Sequence, residues 1–118
     1  MSIIVVIDDE PLILEVVQIF LQSQGHDVHA FNNPMTLDID WLNQYCQLLI
    51  CDVQLGQRKT GLEFCAEWSA KGLQCPILII SGFVSNPQAF QQNWGFLKKP
   101  FNRRQLSTEV ERLLQTSP

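Results

Sequence analysis

Five short apolar segments, separated by stretches with helical character, constrain the fold of this chain more than any other feature. Each segment is four or five residues long and mostly apolar, as in strands that are buried on both faces of a sheet. Strands are therefore expected at Ile3–Ile7, Val28–Phe31, Gln47–Cys51, Pro76–Ile80 and Gly95–Lys98. Short buried strands that alternate with helices predict an α/β fold, in which helices cover both faces of a parallel sheet.

Helices are predicted between these strands from spacing and from start and stop signals. The first begins at Pro11, which suits a first helical turn, and ends before Gly25. Its apolar residues recur at helical spacing, at Leu12, Val16, Ile19 and Phe20. A weaker helix is expected from Asn33-Pro34 to about Tyr45, a third over Leu62–Ala70 with Gly72 closing it, and a short one near Pro87–Gln92. The last helix is expected to begin after Asn102 as N-cap and to end at about Leu114. Its buried face would hold Leu106, Val110 and Leu113 or Leu114.

Length and charge indicate one domain with no affinity for polyanions. The 118 residues suffice for one hydrophobic core, so we expect a single domain over residues 1–118. A net charge of -4 makes the chain a poor candidate for binding nucleic acid or an anionic membrane. No apolar stretch approaches the roughly 20 residues of a membrane span. No signal peptide is visible, and no DNA-binding module precedes Pro118, so we expect a cytosolic protein without direct nucleic-acid or membrane contact.

The four cysteines give no metal-binding pattern. They lie at Cys46, Cys51, Cys65 and Cys75, without CxxC spacing or neighbouring histidines, so a zinc site is not expected. In a chain of this size and compartment, small reduced packing residues are favoured over a disulfide framework.

Polar residues follow four of the predicted strands at the point where each strand ends. Asp8, Asp9 and Glu10 follow the first strand, Asp52 the third, Ser81 the fourth and Lys99 the fifth. Parallel strands bring these ends to one edge of the sheet, which is where ligands bind in folds of this class.

Each of these residues also has a simpler explanation when it is taken alone. Asp9 can cap the following helix, and Glu10 reads as an acid favoured by the helix dipole rather than as a ligand. Asp52 fits a solvated loop acid, Ser81 a turn hydroxyl and Lys99 a surface lysine. Their joint placement after different buried strands favours a common site.

The residue types at this edge suit phosphoryl chemistry with a metal. Adjacent carboxylates repel each other unless a cation lies among them, and Mg²⁺ prefers such hard oxygen ligands. A carboxylate beside the ion can act as a nucleophile toward phosphorus and form an acyl phosphate. A lysine and a hydroxyl can then hold the phosphoryl oxygens.

Five segments carry a resemblance to a known family. "VVIDDEP", "LLICDVQL", "GLEF", "PILIISG" and "FLKKPF" follow one another in order over nearly the whole chain. Together they resemble the receiver domain of bacterial two-component response regulators, of the chemotaxis-regulator type. The resemblance implies a doubly wound (βα)5 flavodoxin-like domain with a five-stranded parallel sheet in the order 2-1-3-4-5.

The resemblance implies a role for each polar residue. Asp8 and Asp9 would bind Mg²⁺ or Mn²⁺, together with Asp52 and the backbone carbonyl of Gln54. Asp52 would accept the phosphoryl group, and Lys99 would contact it. Ser81 matches the switch hydroxyl and Phe96 the switch aromatic. The Lys99-Pro100 bond is often cis in this family, and Lys98 should point away from the site.

The implied function is a phosphorylation-dependent switch in a phosphorelay. A histidine kinase or phosphotransfer protein would donate the phosphoryl group, and a downstream protein would recognise the changed surface. The domain would catalyse only its own phosphorylation and dephosphorylation, so it is not an enzyme in the usual sense. Its oligomeric state is left open.

The chain departs from the family pattern at several positions. Only 15 positions separate Ser81 from Phe96, which predicts a short fourth helix and weakens the expectation of dimerisation through that face. The loop "QLGQRKT" before Gly61 is longer and more basic than usual, and Gly56 stands where proline is frequent. Phe83, near Gln54, is expected to obstruct attacking water and to slow phosphate loss. Phe96 lacks a tyrosine hydroxyl.

Three other functions predict different features. A pseudo-receiver that acts by constitutive contact would not bind Mg²⁺. A phosphatase of the haloacid dehalogenase type would need a second acid two positions after the nucleophile, where this chain has Gln54. A flavin-binding protein would need a Ser/Thr/Gly-rich loop after the first strand, where this chain has carboxylates.

Overall fold

The predicted sheet is present in the computed structural model, which describes residues 2–55, 59–82 and 93–115. Its strands are β1 (Ile3–Ile7), β2 (Asp27–Phe31), β3 (Leu48–Asp52), β4 (Ile77–Ser81) and β5 (Trp94–Lys98). All neighbouring strands pair in parallel, in the order β2-β1-β3-β4-β5. The predicted fold class and strand order are therefore confirmed, with strand ends within one residue of the predicted positions.

The helices cover both faces of this sheet. They are α1 (Pro11–Ser23), α2 (Ile39–Tyr45), α3 (Gly61–Ala70) and α4 (Arg103–Gln115). On one face, Val17 and Leu21 of α1 and Val110 of α4 pack with Ile50 of β3. On the other face, Leu42 of α2 and Phe64 and Trp68 of α3 pack against the alternate strand residues. Successive strand residues point to opposite faces, which explains why the strands are apolar at nearly every position.

The single weak helix predicted between Asn33 and Tyr45 is divided into two pieces. A 3₁₀ turn spans Pro34–Thr36, and α2 begins after Asp38. The side chain of Asn33 accepts a hydrogen bond from Met35 N, and that of Asp38 accepts one from Asp40 N. Two capping residues five positions apart therefore start two separate turns.

The final helix begins as predicted at a capping residue. The Asn102 side chain accepts a hydrogen bond from Gln105 N, and the Gln105 side chain accepts one from Asn102 N. The predicted buried face is confirmed, with Leu106, Val110 and Leu113 at most 2% exposed. The short helix predicted near Pro87–Gln92, the residue Phe83 and the residue Gly56 lie outside the described residues.

Helix α1 is where the spacing predicted it, but its exposed side is apolar. Leu12, Val16 and Ile19 are 76%, 61% and 58% exposed. They form a surface that we call the α1 stripe, while Val17 and Leu21 face the sheet. Among the described residues, no helix is long and apolar enough to cross a membrane.

Candidate functional site

Four carboxylates meet at the carboxyl edge of the sheet. Asp8, Asp9 and Glu10 leave the end of β1, and Asp52 is the last residue of the neighbouring strand β3. One carboxylate oxygen from each lies within 4.8 Å of those of the others. We call these four residues the acid cluster. Asp8 and Asp52 are buried, whereas Asp9 and Glu10 are exposed.

Lys99 places its ammonium group among these acids. Its Nζ lies 3.2 Å from Asp52 Oδ2, 3.3 Å from Asp8 Oδ2 and 3.0 Å from Glu10 Oε1. The side chain is only 16% exposed. The cation that the crowded acids require is thus supplied in part by the protein itself, from the end of β5.

The other oxygen of each buried carboxylate is held by its own loop. Asp8 Oδ1 accepts a hydrogen bond from Glu10 N at 2.9 Å, and Asp52 Oδ1 accepts one from Gln54 N at 3.3 Å. Both carboxylates therefore have one oxygen on a backbone amide and one on Lys99, which fixes their orientation before any ligand arrives.

The pKa of Asp8 is raised to about 6. Burial is the largest cause; the Glu10 amide opposes it, the neighbouring Asp52 adds to it, and Lys99 lowers it in part. For Lys99, burial alone would lower the pKa, but the hydrogen bond to Glu10 and the charges of Asp8 and Asp52 outweigh burial and raise it. The ammonium group is thus fully charged at neutral pH.

Four carboxylates face one ammonium group in this cluster, so negative charge remains in excess. Hard oxygen donors at this spacing match the ligands that Mg²⁺ prefers. Burial and, to a lesser extent, the charge of Asp52 raise the pKa of Asp8, so the ionised form of Asp8 is unfavourable in the folded chain without a second cation. The residues present therefore fit a divalent cation.

Helix α3 fixes the backbone of Asp52 by close contact. Gly61 N donates a hydrogen bond to Val53 O at 2.6 Å. A Cβ atom on Gly61 would lie 1.9 Å from the carbonyl oxygen of Asp52, which leaves no room for any side chain. The Thr60–Glu63 capping box starts the helix at this point. Glycine at this position is therefore required for α3 to approach the acid cluster.

Ser81 and Lys99 are joined through the backbone at the end of β4 and β5. Lys99 N donates to Ser81 O at 2.8 Å, and Ser81 pairs with Lys98 in the sheet register. Ser81 is 3% exposed, and the neighbouring strand β3 ends at Asp52. The Lys99-Pro100 bond is cis, as expected, and Lys98 is exposed.

Phe96 and Glu10 lie on either side of Asp52 in the strand order, on β5 and just after β1. Phe96 is half-buried on β5 and packs against the core on the α2–α3 face. Glu10 stands at the N-cap of α1 without a side-chain cap bond, and its carboxylate contacts Lys99 instead. The interpretation of Glu10 as an acid favoured by the helix dipole did not include this contact, because the contact depends on a lysine 89 positions away in the sequence.

A protein-family model described as "Response regulator receiver domain" matches residues 4–111. The chain belongs to this family. The receiver domain is 28% identical over 121 residues to the response regulator protein TodT of Pseudomonas putida, covering 99% of this chain and 53% of TodT. TmoT of Ectopseudomonas mendocina is also 28% identical, with 99% and 54% covered. The chain thus spans about half the length of these relatives.

Solved structures share the fold of this receiver domain. The chemotaxis protein CheY4 of Vibrio cholerae matches with a TM-score of 0.79 and 25% identity, covering 96% of this chain and 98% of that one. The response regulator TrrA of Thermotoga maritima, solved in complex with Mg(2+)-BeF, matches with a TM-score of 0.80 and 24% identity, covering 96% and 99%.

Proposed function

We propose that this receiver domain, over residues 1–118, is a phosphorylation-dependent switch in a two-component phosphorelay. A histidine kinase or phosphotransfer protein donates the phosphoryl group, and Asp52 accepts it. The observation that carries the proposal is the setting of Asp52: a buried carboxylate at a strand end, 3.2 Å from Lys99 and within the acid cluster. A cytosolic location is part of the proposal and agrees with the four free thiols.

Mg²⁺ or Mn²⁺ is the proposed cofactor. Asp8, Asp9, Asp52 and the backbone carbonyl of Gln54 would hold the ion. When bound, the ion neutralises negative charge on the acids and on the incoming phosphoryl group. The complex of TrrA with Mg(2+)-BeF supports this choice of ion.

In the proposed reaction, an Asp52 carboxylate oxygen attacks the phosphorus atom of a phosphohistidine. The new P–O bond forms as the P–N bond breaks, and the imidazole nitrogen leaves with the electron pair and takes up a proton. Lys99 exchanges its contact with Asp52 for one with a phosphoryl oxygen, and it stays charged because the acids raise its pKa. The chain performs only this transfer and its own dephosphorylation, in which water attacks the phosphorus atom, the P–O bond to Asp52 breaks, and inorganic phosphate leaves.

The proposed switch lies along β4 and β5. The phosphoryl group brings about two negative charges and strong hydrogen-bond acceptors. The Ser81 hydroxyl moves toward it, and Phe96, half-buried at the edge of the core, moves inward. A downstream protein then distinguishes the two surfaces. Moving the population of the two conformations from 1:99 to 99:1 needs about 5.5 kcal/mol of differential interaction.

The α1 stripe is the proposed contact for the donor protein. Beside it lies a groove of about 370 Å³ lined by Leu12, Val16, Pro100 and Phe101, with Lys99 in its wall. Exposed apolar surface of this kind marks protein contacts. Because Lys99 lines the groove and contacts Asp52 of the acid cluster, a protein seated on the stripe lies next to Asp52.

The central experiment is labelling by acetyl phosphate with Mg²⁺, followed by intact-protein mass spectrometry. The wild-type chain should gain one phosphoryl group, and Asp52→Asn should gain none. Asp40→Asn, which removes an exposed acid on α2, is the matched control and should be labelled like the wild type. Equal labelling of Asp52→Asn would refute the assignment. An unlabelled wild type that also fails to bind Mg²⁺ would favour a non-phosphorylated interaction module.

A further inference from the structure

Two of the four cysteines lie in contact at the edge of the sheet opposite the acid cluster. Cys46 is the C-cap residue of α2 and precedes β3, and Cys75 lies two residues before β4. Their Sγ atoms are 3.8 Å apart, although the residues are 29 positions apart in the sequence. Neither residue ligates or supports any part of the acid cluster, so the proposed phosphoryl chemistry does not account for this pair.

The two thiols are arranged so that one can act as a nucleophile. The Cys75 thiol donates a hydrogen bond to Cys46 Sγ, and the Cys46 thiol can donate to Leu48 O at 3.2 Å. The hydrogen bond from Cys75 lowers the pKa of Cys46 despite burial, and the same contact raises the pKa of Cys75. Because the thiolate is the reactive form, Cys46 is the more reactive partner.

The pair is also less enclosed than the other two cysteines. Cys46 and Cys75 are each 7% exposed, whereas Cys51 and Cys65 are at 0%. A small oxidant that approaches from the surface therefore reaches the first pair before the second. Cys51 and Cys65 therefore serve as an internal control, since they are fully buried thiols in the same chain.

We propose that Cys46 and Cys75 form a redox-sensitive dithiol, which closes into an intramolecular disulfide on oxidation by a peroxide. The Cys46 thiolate attacks one peroxide oxygen; an S–O bond forms, the O–O bond breaks, and hydroxide leaves and takes up a proton. Cys75 then attacks Cys46 Sγ as its own proton is lost, the S–S bond forms and the S–O bond breaks with release of water. In total, two thiols and one hydrogen peroxide give one disulfide and two waters.

The two Sγ atoms already lie 3.8 Å apart in the reduced chain. The sulfur atoms must approach by about 1.8 Å to reach bonding distance. The bond would join the end of α2 to the segment before β4, and it would close a loop that contains β3 and α3. Asp52 lies at the other end of β3, about 13 Å along the strand from Leu48. Oxidation should therefore stabilise the fold and leave the acid cluster intact.

The test is oxidation of the whole folded chain by hydrogen peroxide, with the remaining thiols alkylated and counted by mass spectrometry. The wild type should lose two of its four thiols and regain them with dithiothreitol. Trypsin leaves Cys46 and Cys51 on one peptide, so a Cys51→Ala/Cys65→Ala variant identifies the bonded partner. That variant should lose both of its thiols, and a Cys46→Ala/Cys75→Ala variant should lose none over the same time.

A second readout measures the consequence for stability. Because a cross-link restricts the unfolded chain, the oxidised wild type should unfold several degrees higher than the reduced one, while its affinity for Mg²⁺ is unchanged. A cross-link between Cys51 and Cys65, sulfinic acid on Cys46 without a disulfide, or four thiols that survive peroxide would each overturn the proposal. If a variant fails to fold, fragmentation of the wild-type peptide between Cys46 and Cys51 in the mass spectrometer decides among these results.

Discussion

At the scale of single residues, the site is dominated by excess negative charge. Asp8 is almost fully buried, and its pKa is raised to about 6. An acid whose pKa is higher in the folded than in the unfolded chain destabilises the fold when it is ionised. In the absence of metal, the ionised acid cluster therefore lowers the free energy of unfolding, although the same charges allow it to bind a cation.

Replacing Asp8 by Asn should stabilise the metal-free protein at neutral pH. The folded chain holds a proton on Asp8 between pH 3.8 and about 6 that the unfolded chain releases, so the wild type loses stability as pH rises through this window. Asn keeps an acceptor for Glu10 N and carries no charge. Urea denaturation in EDTA at pH 7.5 should show a gain of about 1–3 kcal/mol.

The difference between wild type and Asp8→Asn should shrink as pH is lowered from 6 to 4, because Asp8 then becomes protonated in the folded chain. Glu15→Gln is the control, since Glu15 is an exposed acid on α1 outside the cluster. A variant that is less stable than wild type at pH 7.5 would show that the contact with Lys99 outweighs the crowding.

At the scale of elements, α3 and the end of β3 meet at a glycine. Gly61→Ala should reduce the free energy of unfolding by about 1–3 kcal/mol, because its Cβ has no space beside the Asp52 carbonyl. Labelling by acetyl phosphate should fall as well, because Asp52 must move. Gly82→Ala is the matched control: a Cβ there meets nothing within 4 Å among the residues that the structure describes, so urea denaturation should show little change. Equal stability of both variants would contradict the close contact.

The α1 stripe gives a second prediction at this scale. Leu12→Ser/Val16→Ser should slow phosphoryl transfer from a phosphohistidine protein by at least tenfold, equivalent to about 1.4 kcal/mol of lost docking energy. Transfer from acetyl phosphate should be unchanged, because the small donor needs no docking surface. Met35→Ser removes an equally exposed apolar side chain elsewhere and should alter neither rate. Equal slowing with both donors would place the defect in the acid cluster instead.

At the scale of the whole molecule, the sequence predicts what depends on local pattern and misses what depends on distant partners. The buried strands and the polar residues at their ends are predicted by short apolar runs and by the residues that follow them. The strand order is predicted by the family resemblance. The exposed side of α1 was not predictable, since this helix is apolar on several sides. The Glu10–Lys99 contact and the space at Gly61 arise only when segments distant in sequence meet.

The acid cluster itself is a property of the whole fold, because Asp8 and Asp52 are brought together only by pairing of β1 with β3. Mg²⁺ should therefore bind the folded chain and not the unfolded one, and it should raise the free energy of unfolding by about 2.7 kcal/mol at 100 times its Kd. Thermal unfolding should shift upward by roughly 10 °C at that concentration, and the shift should grow with the logarithm of Mg²⁺ concentration. Asp52→Asn should show a much smaller shift, whereas Asp40→Asn should behave like wild type. Equal shifts in all three proteins would mean that Mg²⁺ binds elsewhere, and the phosphoryl-transfer proposal would lose its cofactor.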